Sequence, residues 1–172
     1  QSHPKVPSTV VVASFPNWPP LVDGMSFQWS AEPGIDLVNG AAVPIRAYFE
    51  SYYLVGLLGD FNASYPGFKR AVPDQPDSPW RSRHNNPAPQ GDQYYSADGV
   101  IYLHKPLYGA MHLRIQRIQR ITPTPTGFSA IVCDSQAAMY IRTSEGKYRS
   151  RWGSAALDPT VTRVDFTDRG SD

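Results

Sequence analysis

The chain has 172 residues, 41% of them apolar and 18% charged, a size and balance that fit one domain able to bury its own core without a disulfide or metal staple. Its 16 basic and 15 acidic residues leave a net charge of +1, which argues against a nucleic-acid binder, and no apolar run approaches the roughly 20 residues of a membrane-spanning helix. Cys133 is the single cysteine, so there is no intrachain disulfide and no second thiol for a zinc pair.

Residues 1–38 read as a leader followed by a β-hairpin extension. Gln1 to Thr9 carries Pro4, Pro7 and one lysine but no apolar core, so it lacks the design of an uncleaved signal peptide. Such a polar leader follows equally well from removal of a signal or lipid-anchor segment and from an arbitrary starting point of the sequence, so these residues leave the compartment open, and the expectation of an extracytoplasmic or cell-envelope location rests on the wording of later segments. Val10 to Phe15 is β-branched, and Met25, Phe27 and Trp29 alternate with Ser26, Gln28 and Ser30, the period of a half-buried strand. Pro16-Asn17-Trp18-Pro19-Pro20 forms a rigid corner between these two strands, and Glu32-Pro33-Gly34 a turn after them.

Residues 39–167 read as the main domain. Ala41 to Leu58 is apolar almost all round, with Arg46 and Glu50 one turn apart as the narrow stripe left for water. That pattern predicts a nearly buried helix, with Pro44 in its first turn and Gly59 at its end. A second, short helix is expected from about Tyr65 to Val72, capped by Asn62 or Ser64 and stopped by Pro73. Asn62-Ala63-Ser64 also matches a glycosylation acceptor, although the cap is the reading preferred. Pro73 to Gly99 is proline-rich and polar and reads as a long loop, pinned to the body by Trp80, Tyr94 and Tyr95.

From Val100 onward the pattern is β. A short strand is expected over Val100 to His104. Met111, Leu113 and Ile115 alternate, but Ile118 and Ile121 follow at a period of three, so a bulge near Gln116 or Arg117 is expected to restore the alternation and bend the strand. Gly127 to Asp134 is a further strand. Ala137 to Thr143 and Lys147 to Trp152 form a hairpin around Ser144-Glu145-Gly146, with glycine at the bulge position. Val161 to Thr167 closes the sheet, and residues 168–172 are a polar tail.

This order of a long buried helix, a short helix, a polar insertion and successive antiparallel strands predicts an α+β domain, with the helices packed on a curved, mostly antiparallel sheet. It resembles the nuclear transport factor 2-like superfamily, a cone-shaped fold shared with ketosteroid isomerase. The resemblance spans about Asn39 to Thr167 and rests on Ala41 to Leu58, Tyr65 to Val72, the bulged Met111 to Ile121 and the strands flanking Ser144-Glu145-Gly146. The extra N-terminal hairpin departs from the minimal cone. Gly127 to Asp134 and Lys147 to Trp152 also resemble, in wording, exported actinobacterial envelope proteins.

Enzyme signatures are sparse. The sequence has no Gly-x-Gly-x-x-Gly, phosphate loop or Gly-x-Ser-x-Gly. His3, His84, His104 and His112 show no metal-ligand spacing, so neither a metal nor a cofactor is expected. The resemblance implies that an enzyme of this fold would set a helix tyrosine and sheet carboxylates in one apolar pocket. Tyr48, Tyr52 and Tyr53 with Asp134 and Asp165 supply those types. The plainer reading makes Tyr48 and Tyr52 core residues, places Asp134 at the start of a turn, and sets Asp165 beside Arg163 on one strand face.

Charge is unevenly spread: residues 1–100 hold 6 basic and 9 acidic side chains, whereas 101–172 hold 10 and 6. Arg114, Arg117 and Arg120 on the long strand and Arg142, Arg149 and Arg151 on the hairpin lie among Tyr140, Tyr148 and Trp152. Such a face suits a protein partner or an anionic polymer, or is an ordinary solvated surface with arginine stems covering aromatics. The expected function is therefore a non-enzymatic binding or accessory domain for a protein partner or a small apolar envelope ligand. Its candidate residues are Tyr48, Tyr52, Trp80, Arg114, Tyr140, Arg142, Arg151 and Trp152, with oligomerisation through the sheet face also open. The alternatives are a small isomerase-like or hydrolase-like enzyme working inside the cone, and a structural subunit of a larger assembly.

Overall fold

The computed structural model describes residues 10–13, 18–58, 61–71, 106–121, 127–150 and 159–167. The leader, the Pro73 to Gly99 loop with Trp80, the Val100 to His104 strand, Arg151, Trp152 and the tail lie outside the described residues.

The fold is α+β, with one long helix packed on an open, mostly antiparallel sheet. Strand β1 (Val11–Ala13) pairs antiparallel with β2 (Met25–Ala31), forming the expected N-terminal hairpin. Helix α1 (Ala42–Leu58) follows, then a 3-10 turn over Phe61–Ala63 and the short helix α2 (Phe68–Ala71). Five strands complete the sheet: β3 (Leu107–Arg120), β4 (Phe128–Ser135), β5 (Met139–Arg142), β6 (Tyr148–Ser150) and β7 (Thr160–Phe166).

Strand β3 is the spine. One of its edges takes β2 in parallel, Met25 to Ala31 against Gly109 to Ile115. Its other edge takes β4 along His112 to Arg120 and β5 along Leu107 to Gly109, both antiparallel. β7 lies outside β4, and β6 outside β5. The N-terminal hairpin therefore joins the main sheet through β2, whose Phe27 and Trp29 are fully buried in the common core with Met111, Leu113 and Ile115. Trp18 packs edge-on against Phe27 at 5.6 Å.

The period slip in β3 is a register shift between Ile115 and Arg117. Ile115 opposes Val132 and Ile118 opposes Ala130, so both isoleucines face the core and Gln116 is the extra residue. Without that bulge Arg117 would point into the core; with it, Arg117 opposes Ile131 and joins Arg114 on the outer face. The β5–β6 turn also forms as expected: Gly146 has φ +78°, its N–H donates to the Thr143 carbonyl at 2.9 Å, and Thr143 N–H donates to Lys147 O at 2.8 Å.

Three expectations need correction. Arg46 and Glu50 are not the solvent stripe of α1, because Glu50 is only 2% exposed and Val43 and Pro44 take the water-facing side. The described part of the second helix is the single turn Phe68–Ala71, preceded by the 3-10 turn. Asp134 does not start a turn; it is an inward-facing residue near the end of β4, 3% exposed.

Candidate functional site

Among the described residues, two polar clusters interrupt the apolar core face. The first is centred on Glu50. Its Oε1 accepts a hydrogen bond from Trp29 Nε1 at 2.8 Å, and its Oε2 accepts one from the Tyr65 hydroxyl at 2.5 Å. Arg46, one turn earlier on α1, places Nε 3.8 Å from Glu50 Oε1 and donates from Nη1 to the Leu37 carbonyl at 3.0 Å. Ser51 is also fully buried, and its Oγ accepts the Tyr65 backbone N–H at 3.0 Å. Glu50 and Ser51 thus tie the chain after α1 back onto the helix, while Trp29 ties the helix to β2. A buried carboxylate is tolerated because both oxygens are hydrogen-bonded and a cation stands beside it.

The second cluster is Asp134 with Tyr53. Trp29, Leu113 and Asp134 lie in one row across β2, β3 and β4, so Asp134 faces the same core as the Glu50 cluster. Tyr53 of α1 stands beside its carboxyl, and its Oδ2 is buried with no hydrogen-bond partner.

Burial pushes the Glu50 carboxyl above its usual range, against the Tyr65 and Trp29 hydrogen bonds and the Arg46 charge, which pull it down. Burial likewise raises Asp134, against the Tyr53 hydrogen bond. The Tyr53 and Tyr65 hydroxyls are held strongly protonated, by burial first and then by the carboxylates beside them. A carboxyl whose native pKa is raised binds its proton more tightly in the folded state, so its contribution to stability is full below the unfolded value of about 4 and is lost as pH rises through the native value. Asp36 has the opposite sign: hydrogen bonds from Asn39 and Val38 lower it, so its contribution is lost as pH falls. Asp134→Asn removes one of the two raised carboxyls among the described residues. The stability of the variant relative to the parent is therefore expected to climb as pH is raised above about 4 and to level off once pH passes the native value, measured as urea midpoints. A difference that stays constant with pH would show that Asp134 carries no native-state shift.

Tyr48 and Tyr52 form an aromatic cluster at the helix–sheet boundary rather than facing a carboxylate. Tyr48 meets Phe49, Phe68 and Phe166 at 5.6 to 5.7 Å and stacks on Tyr52 at 6.2 Å. Tyr53 is the helix tyrosine that reaches a sheet carboxylate. Asp165 remains exposed and pairs with Arg163 at 3.0 Å, as its alternation suggests.

The outer face of the sheet carries Arg114, Tyr140 and Arg142 as expected, but it does not gather them into one patch. Tyr140 opposes Tyr108, which lies six residues from Arg114 along β3, a separation of about 20 Å at strand spacing. Arg114 is also occupied, since its Nη2 and Nε both donate to Glu32 Oε1, at 2.9 and 3.2 Å. Arg149 opposes the core residue Ile141 and so turns away from Arg142. Tyr108, Tyr140, Arg142 and Tyr148 do share the outer face, with Tyr108 and Tyr148 in edge contact at 5.3 Å. Tyr140 and Tyr148 are 38% and 58% exposed.

Sequence reasoning missed Tyr108 as part of this patch, because Lys105 to Ala110 shows no clean alternation and Gly109 breaks it. It also missed Trp29 and Tyr65 as partners of Glu50; a glutamate alone on an otherwise apolar helix was the available signal. Among the described residues no three His, Cys, Asp or Glu side chains are grouped to hold a metal, and no helix is long and apolar enough to cross a membrane. Scans of family models, curated proteins and solved structures each returned no match for this chain.

Proposed function

We propose that this chain is a non-enzymatic binding or accessory domain on a nuclear transport factor 2-like cone, acting outside the cytoplasm, and that it engages a protein partner through Tyr108, Tyr140, Arg142 and Tyr148. The observation that carries this reading is the exposed tyrosine–arginine cluster on the outer face. Large, stiff aromatic surfaces beside an arginine are the composition of interface anchors, because they bury much area at little cost in conformational entropy. The core face supports the same choice. Phe27, Trp29, Met111, Leu113 and Ile115 are buried to 1% exposure or less, which favours a protein partner on the outside over an apolar ligand within. The extracytoplasmic placement rests on the likeness in wording to envelope proteins.

The test is a pull-down from envelope extract with the parent chain beside an Arg142→Ala, Tyr148→Ala double variant of unchanged thermal transition. Specific loss of a co-purifying protein with the variant is the expected result, since truncating central anchors costs about 2 kcal/mol or more each. Equal yield of the same proteins with both chains would remove the patch as the binding site.

A second reading, an acid–base enzyme working on the inner face, is favoured by one observation: the buried, unpartnered Oδ2 of Asp134 beside Tyr53. A raised carboxyl next to a protonated tyrosine is the equipment for moving a proton at a carbonyl-activated carbon. Turnover of enolisable ketones or esters that disappears in Asp134→Asn would shift the assignment to this chemistry.

A further inference from the structure

We infer that β7 is a self-complementary edge through which two copies of this chain pair antiparallel about a twofold axis at Val164. Strand β7 is paired with β4 on one side, Phe128 to Asp134 against Phe166 to Thr160, and among the described residues no strand covers its other side. An edge of seven residues is usually protected by a proline, a charge or a bulge; Thr160 to Phe166 has no proline and no bulge, and its two charges, Arg163 and Asp165, are opposite in sign and pair with each other.

Burial points to a missing neighbour. Thr162, Val164 and Phe166 face the core side of the sheet, yet all three are only half-buried. Ala130 and Val132, the residues opposite Val164 and Thr162 on β4, are fully buried. Phe166 stacks on Phe128 at 4.8 Å and meets Tyr48 at 5.7 Å, so the core continues up to this edge, and no described residue is paired beyond it.

Charge then selects the occupant and the register. Arg163 and Asp165 flank Val164 on the outer face and bond to each other at 3.0 Å, both largely exposed. When a second copy adds antiparallel with Val164 opposite Val164, each Arg163 faces Asp165 of the other copy, and each Thr162 faces Phe166. Two cross-strand ion pairs replace the two internal ones, and the half-buried inner row becomes continuous across the twofold. A shift of two residues either way sets Arg163 against Arg163 or Asp165 against Asp165. A shift of one opposes inner to outer side chains, which the pleat forbids. One register satisfies both pleat and charge.

The test is sedimentation equilibrium of the full chain from about 1 µM to about 1 mM, for the parent, Arg163→Asp, Asp165→Arg and the double exchange. Both positions are exposed, so all four proteins should share one thermal transition at concentrations low enough to keep them monomeric. The parent and the double exchange are expected to dimerise. Each single variant faces like charges twice and should dissociate at about tenfold lower affinity or worse. An equimolar mixture of the two single variants should dimerise again, because the introduced carboxylates then face the arginines of the other protein. A parent that stays monomeric, single variants that dimerise as the parent does, or a mixture that stays monomeric would each overturn the proposal. This outcome is independent of the tyrosine–arginine patch, which lies on the face of other strands.

Discussion

Gly109→Ala is expected to cost about 4 kcal/mol, because among the described positive-φ glycines it is the one whose added methyl overlaps backbone. Gly109 sits where β3 passes from β5 to β4, with φ +93°. A Cβ there would lie 2.1 Å from the Ala138 carbonyl oxygen and 2.9 Å from Tyr140 Cδ2. The first neighbour is backbone, held in place because the same oxygen accepts the Ala110 N–H at 3.0 Å. Relief would require β5 to move off β3, taking Tyr140 and the outer-face patch with it. Gly34→Ala separates the two causes: Gly34 has φ +90° and nothing within 4 Å of its added Cβ, so it should cost about 1–2 kcal/mol from the backbone conformation alone. Urea titrations of the two variants decide the matter. Equal losses would mean that dihedral strain, and not the overlap with Ala138, sets the cost.

Phe49→Ala is expected to cost about 3–5 kcal/mol. Phe49 is 2% exposed, meets Trp29 edge-on at 6.3 Å and packs against Tyr48 at 5.6 Å. Its ring therefore fills the contact between α1 and the centre of the sheet. The neighbours cannot collapse into the space, because Trp29 is held by its hydrogen bond to Glu50 and Tyr48 by the rings of Tyr52, Phe68 and Phe166. Val43→Ala on the water-facing side of the same helix should change stability by less than about 0.5 kcal/mol. A loss below about 1 kcal/mol for Phe49→Ala would place α1 at the periphery of the core.

Glu50 and Asp134 matter for the functional reading because they are the costly residues of the core. Of the three helix tyrosines anticipated for an inner-face site, Tyr48, Tyr52 and Tyr53, the one that stands beside a sheet carboxylate is Tyr53, next to Asp134. The outer-face candidates were half legible. Tyr140 and Arg142 alternate correctly along β5, but Arg114 is neutralised by Glu32, a residue 82 positions away that no local pattern could associate with it. Tyr148 joins Tyr108 only because β5 brings β6 alongside the start of β3.

Local pattern alone determined the α+β composition, the span of α1, the place of the bulge and the β5–β6 turn. Each of these depends on residues within one helical turn or one strand: the all-round apolar run from Ala42 to Leu58, the slip between Ile115 and Ile118, and glycine at a left-handed position. Tertiary structure decided the rest. Whether Glu50 meets water depends on Trp29, 21 residues earlier, and Tyr65, 15 residues later, both delivering donors to it. That β2 enters beside β3 in parallel depends on a pairing across more than 80 residues. Periodicity reports which side chains share a face, because that is fixed by the geometry of a single element. It carries no information about what that face will meet, so buried carboxylates, sheet order and the composition of a surface patch emerge only when distant segments pack.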